Sequence, residues 1–119
     1  MLFRSLKRMI KMKRGHIINI LSVAANTVYE NSSVYACSKA GLLALSNNVR
    51  NEVRKHNIKI TNILPGATET AMWDSRTRQR YKNRMLSPED IAEIALQVFE
   101  QPKKVMVEDI VLRPVKGDI

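Results

Sequence analysis

The chain has 119 residues, 20 of them Lys or Arg against 11 Asp or Glu, for a formal charge of +9, and it carries one cysteine. That length holds one domain with a modest core, a single cysteine excludes an internal disulfide and points to a reducing compartment, and no stretch suits a membrane span. His16 and His56 have no partner at ligand spacing, so no metal is expected.

Residues 1 to 13 place Leu2, Phe3, Leu6, Met9 and Ile10 at helical spacing, with Arg4, Lys7, Arg8 and Lys11 between them. Being basic, amphipathic and free of acids, the segment also has the composition of a targeting presequence. It leads within two residues into a strand, however, and the cytoplasm is the expected location. Residues 16 to 22 read as that strand, and the run of Ile17, Ile18, Ile20 and Leu21 suits burial on both faces. A long helix is expected over 33 to 55, a second strand over 58 to 64, and a turn at Pro65-Gly66. Ser87-Pro88-Glu89 starts a helix running to Glu100, with Ser87 as N-cap and Pro88 at the first position. A last short strand lies at Asp109 to Leu112. Alternating strand and helix predicts an α/β unit with a parallel sheet.

The long helix carries two apolar surfaces: Leu42, Leu45, Val49 and Val53 form one, Ala36, Ala40, Leu43 and Ala44 the other. Two such faces call for a partner helix besides the sheet, or for other parts of a larger domain. Gly41 at mid-helix costs about 1 kcal/mol against alanine, and a close approach by a neighbouring element is the expected compensation. Cys37 is expected as a small buried filler rather than a reactive thiol.

Candidate chemistry centres on Ser22, Tyr35 and Lys39. Residues i and i+4 share a helix face, so the Tyr35 phenol and the Lys39 ammonium are neighbours, while the strand that ends at Ser22 brings a hydroxyl toward the same end of the fold. A free phenol lies roughly 3 to 4 kcal/mol from serving as a base near neutrality. One positive charge at about 4 Å supplies about 4 kcal/mol at an effective dielectric near 20. A serine hydroxyl both donates and accepts, so it can hold a substrate oxygen. Such a trio moves protons to and from an alcohol or carbonyl oxygen without a metal. Taken alone, the Tyr35 and Lys39 pair reads more readily as a partly buried tyrosine with a snorkelling lysine.

Three runs shift that balance: GHIINILSVAA from Gly15, YACSKAGLLALS from Tyr35 and NILPGATETAM from Asn62. In this order and spacing they resemble the short-chain dehydrogenase/reductase family, with its partial counterpart here being the C-terminal strands and helices of a Rossmann-type doubly wound parallel sheet. The resemblance implies an NAD(P)-dependent oxidoreductase that interconverts an alcohol and a carbonyl. It makes Ser22, Tyr35 and Lys39 catalytic, and it implies that Lys39 and Tyr35 also face the coenzyme, NADP or NAD. Pro65 and Gly66 would let the backbone pass close to the nicotinamide, Thr68 would contribute its backbone, and Thr70 would bond the carboxamide. It implies a homo-oligomer through the 33 to 55 helix. Trp73 would stand at the base of the family's substrate lid, lining the pocket or filling the lid's own core. Asn19 falls where the family carries a structural polar residue.

The family's glycine-rich turn, which receives the coenzyme pyrophosphate at a helix N-terminus, has no counterpart among Gly15, Gly41, Gly66 and Gly117. Residues 1 to 119 are therefore expected to be the catalytic and substrate half, with Met1 inside the helix that precedes the family's fifth strand, and to be inactive alone. The competing reading is a non-catalytic basic module that binds a protein partner or nucleic acid through Arg4 to Arg14 and through Arg76, Arg78, Arg80, Lys82 and Arg84. Aromatics do not interleave these clusters as a single-strand platform requires, so nucleic acid is not the expected partner. A narrower expectation puts the second cluster on the lid, favouring an anionic substrate.

Overall fold

A computed structural model describes residues 2–119, with side chains from Arg4 onward in the first helix; the sequence readings of Met1 and of the Leu2 and Phe3 side chains lie outside it. In chain order the elements are α1 (Leu2–Met12), β1 (Gly15–Ile20), α2 (Ser33–Val53), β2 (Ile58–Pro65), α3 (Ser75–Tyr81), α4 (Pro88–Phe99) and β3 (Asp109–Leu112). The three strands make one parallel sheet in the order β1-β2-β3.

The central strand decides the core. Ile58, Ile60, Ile63 and Leu64 are each no more than 2% exposed, and Thr61 and Asn62 are wholly buried. Leu6 from α1 and Val49 and Val53 from α2 close over Ile58 and Ile60, with Met9, Ile10 and Ile17 packed against them. The opposite face of the sheet meets α4, where the Phe99 ring stacks on His16 at 6.3 Å. The unit is thus wound on both faces, as an α/β sheet requires. Gly15 permits the α1 approach, since a Cβ there would come within 2.5 Å of the Met9 sulfur.

Several expectations are corrected. β1 is half-buried rather than buried on both faces, because among the described residues it pairs on one side only, and Ile20 is 48% exposed. It also ends two residues early, with Ser22 lying beyond the strand. On α2, Leu45 is exposed while Ser46 and Arg50 are buried beside Val49 and Val53. The inward face is half polar because it meets a polar stretch of the sheet. Asn19 Nδ2 donates to Ser46 Oγ (2.9 Å) and Asn62 Oδ1 (3.0 Å), and Asn62 Nδ2 donates to Asp109 Oδ1 (2.9 Å). Arg50 in turn donates to the Ile60 carbonyl (2.9 Å), the Glu108 carbonyl (2.7 Å) and Asp109 Oδ1 (2.7 Å). Cys37 is exposed, not buried. A Cβ on Gly41 would meet nothing within 4 Å, so among the described residues no element approaches it. These residues lie on the outer face of α2, which the sheet does not cover.

The helix ends follow their caps. α2 passes into a single 3-10 turn at Arg54–His56, stopped by Asn57 at φ 57°, a left-handed conformation that asparagine tolerates. α4 opens on a reciprocal box in which Ser87 Oγ accepts from the Asp90 N–H (3.1 Å) and Asp90 Oδ2 accepts from the Ser87 N–H (2.7 Å). α3 has no counterpart in the sequence reading, although Asp74, which accepts from the Arg76 and Thr77 N–H groups at 3.0 Å each, is its local signal.

Candidate active site

The carboxyl ends of parallel strands are where open α/β sheets place their ligands. Here Leu21 extends the ladder past β1, its N–H donating to the Ile63 carbonyl at 2.8 Å. The chain then turns at Ser22, whose Oγ caps the following 3-10 turn by accepting from the Ala24 N–H at 3.1 Å. Val23 and Ala24 are buried and anchor that turn. With a lone pair so engaged, the Ser22 hydroxyl keeps its proton for donation.

The first turns of α2 carry Tyr35 and Lys39 over the same edge. The Lys39 ammonium nitrogen lies 5.6 Å from the Tyr35 ring centroid, the neighbourhood that i and i+4 spacing predicts. Beyond β2, the Gly66 N–H donates to the Leu112 carbonyl at 2.7 Å and ties the turn to β3. Thr68 turns its hydroxyl back to the Gly66 carbonyl (3.0 Å), and its own carbonyl accepts from the Trp73 indole N–H (2.9 Å).

All these groups border one cavity of about 950 Å³. Ser22, Tyr35, Lys39, Pro65, Gly66, Thr68 and Thr70, every site residue expected from sequence, line it together, and Trp73 lines it too. Lys39 and Thr70 supply donors and the Pro65–Thr68 turn supplies backbone, a set that suits a nicotinamide and its ribose. None of the chain's four glycines makes a pyrophosphate turn.

Other lining residues carried no local sign of a site: Tyr29 and Glu30 from the loop before α2, Ile91 and Ala92 from α4, and Asp118 and Ile119. Asp118 reaches the site from far along the chain, accepting from the Tyr29 hydroxyl at 2.6 Å and pairing with Arg113. A Cβ on Gly66 would lie 2.6 Å from Asp118 Oδ1, so this glycine makes room for the chain's own carboxylate.

The expected anion-favouring role of the second basic cluster is not supported by this geometry. Arg76, Arg78, Arg80, Lys82 and Arg84 do not border the cavity. Arg78 pairs with Glu69. Arg80 and Arg84 lie over the Tyr81 ring at 5.3 and 5.8 Å. The charged side chains that do line the cavity are Lys39, Glu30 and Asp118.

Comparison with known proteins agrees with this arrangement. The short chain dehydrogenase family model matches residues 1–81. A sepiapterin reductase of Chlorobaculum tepidum is 41% identical over 111 residues, which cover 93% of this chain and 45% of that protein. Among solved structures, the closed form of serine dehydrogenase complexed with NADP+ superposes with a TM-score of 0.90 at 29% identity, covering all of this chain and 52% of that one. A 4-hydroxyisoleucine dehydrogenase complexed with NADH and succinate superposes with a TM-score of 0.80 at 25% identity, covering 98% of this chain and 53% of that one. The chain spans about half the length of the relatives it matches. With the family's motifs gathered at the carboxyl edge of its parallel sheet, this chain belongs to the short-chain dehydrogenase family.

Proposed function

We propose that residues 1–119 form the catalytic and substrate half of an NAD(P)-dependent dehydrogenase/reductase that interconverts an alcohol and a carbonyl. The convergence of Ser22, Tyr35 and Lys39 with the Pro65–Thr70 turn around one cavity carries this reading. The nicotinamide, when bound, supplies or accepts the hydride. Tyr35 then passes the proton to or from the substrate oxygen, and Ser22 donates a hydrogen bond to that oxygen. Lys39 supplies a positive charge beside the phenol and a donor to the ribose. Thr70 and the backbone from Pro65 to Thr68 orient the carboxamide. Solved neighbours are complexed with NADP+ and with NADH, so the proposal takes either coenzyme. A cytoplasmic location belongs to the same proposal, resting on a single cysteine. So does a homo-oligomer through the uncovered face of α2. The basic module has no comparable support: in its second cluster Arg78 pairs with Glu69 and Arg84 donates to the Asp118 carbonyl.

The chain by itself is expected to show little or no turnover, because the pyrophosphate site provides much of the coenzyme's affinity. Measurable NADPH oxidation with common aldehydes or ketones, abolished by Tyr35→Phe, would overturn that expectation. Joined to the first half of the Chlorobaculum tepidum relative, the chain should reduce carbonyls, and Tyr35→Phe should lower the rate about 10²- to 10⁴-fold. An active chimera indifferent to Tyr35→Phe would refute the role of Tyr35.

A further inference from the structure

The loop that joins Ser22 to Tyr35 is held from a distance. Arg113, just past β3, donates to Thr27 Oγ1 at 3.0 Å and to the Tyr29 hydroxyl at 3.2 Å. The chain then reverses over Pro114 to Gly117, where the Gly117 N–H donates to the Pro114 carbonyl at 2.8 Å. Gly117 adopts φ 81°, a left-handed conformation that residues with a Cβ avoid. The reversal returns Asp118 to the same loop, where it accepts from Tyr29 at 2.6 Å and pairs with Arg113. Asp118 and Ile119 thereby become cavity wall, seated on the space that Gly66 leaves open. From the lid side, Arg84 Nη2 donates to the Asp118 carbonyl at 3.3 Å.

We propose that Tyr29, Arg113 and Asp118 form a clamp that holds residues 113–119 as a movable wall of the cavity, and that this clamp sets the size of substrate admitted. The wall is held loosely. The Arg113 and Asp118 side chains are 37% and 20% exposed, so water competes for their pairing. Among the described residues, Asp118 Oδ1 and Arg84 Nε are buried without a hydrogen-bond partner, which penalises the closed arrangement. Few apolar groups offset that penalty: Val115 is fully exposed, and Pro114 is the one buried residue of the segment. A segment with such balance opens locally well before the sheet does. Opening it would remove Asp118 and Ile119 from the cavity and loosen the loop between Ser22 and Tyr35. Neutral substrates too bulky for the closed cavity would then fit. This consequence for substrates rests on the dehydrogenase reading; the clamp itself does not.

The clamp can therefore be tested without coenzyme. Trp73 is the only tryptophan and lines the cavity, so acrylamide quenching of its fluorescence reports access. Amide hydrogen exchange read by mass spectrometry reports each segment separately. In the purified 119-residue chain, Asp118→Asn and Tyr29→Phe should each speed exchange about tenfold in both 26–32 and 113–119. Each should leave β2 protected and raise the Trp73 quenching constant. Gly117→Ala, which touches none of the charged groups, should do the same by straining the reversal. Faster exchange confined to the substituted segment, unchanged quenching, or, in Tyr29→Phe and Gly117→Ala, loss of protection spreading through β2 would each overturn the clamp. Where the charged variant destabilises the whole chain, Tyr29→Phe and Gly117→Ala decide.

Discussion

His16 shows how one residue's surroundings set a pH response. Its Nε2 lies 2.8 Å from Thr61 Oγ1, and since that hydroxyl donates to the Val107 carbonyl at 2.6 Å, the imidazole donates to Thr61. Burial and then the nearby Lys59 charge depress the His16 pKa below its ordinary value. The unfolded chain therefore takes up a proton at a pH where the folded chain does not. Stability from this site is fully present above the ordinary histidine pKa, near 6.5, and is lost as pH falls from there toward the depressed folded value. Urea midpoints should fall between pH 7.5 and pH 5.5, and His16→Gln should shrink that difference. Equal pH dependence in both proteins would remove His16 as its source.

At the scale of elements, α4 depends on its cap and α2 on its polar inner face. Removing the Ser87 hydroxyl leaves the Asp90 N–H without its acceptor, and Ser87→Ala should cost about 1 kcal/mol of unfolding free energy. Chemical denaturation at pH 7 would measure it. Arg50 is 4% exposed and joins α2 to β2 and to the start of β3. Arg50→Met strands several acceptors, but Asp109 and Glu108 are 42% and 48% exposed and can turn to water. The loss should be about 1 to 3 kcal/mol, from acceptors such as the Ile60 carbonyl left unpaired, and an unchanged midpoint would show that Met packing replaces the network. Sequence periodicity assigned α2 a leucine and valine stripe. The helix and its length were legible, but the burial of Ser46 and Arg50 was not, since their partners Asn19, Ile60 and Asp109 come from three different strands.

For the molecule as a whole, the uncovered face of α2 is the prominent unpartnered surface. Val34 is 84% exposed and Leu45 38%, and Gly41 between them is open. Under the proposed oligomer, Leu45→Glu should shift sedimentation velocity toward the monomer while leaving the far-ultraviolet spectrum unchanged. A wild-type chain that sediments only as a monomer would end that proposal for these 119 residues.

The sequence by itself determined the order of the strands and of every helix but α3, their approximate ends, and the grouping of Ser22, Tyr35 and Lys39, while Pro65, Gly66, Thr68 and Thr70 came from the resemblance to the family. The elements and the trio depend on local spacing: period 3.6 in α2, an apolar run ending at Ser22, a Pro-Gly turn after β2. Tertiary structure alone decided that β2 is the central strand, that the inner face of α2 is half polar, and that the basic cluster of α3 turns away from the cavity. It also decided that Asp118 forms part of the wall. Tyr29 and Asp118 are 89 positions apart and share no periodic pattern. Only the assembled tertiary structure brings the chain beyond β3 beside the loop that leaves β1, and no local preference records that encounter.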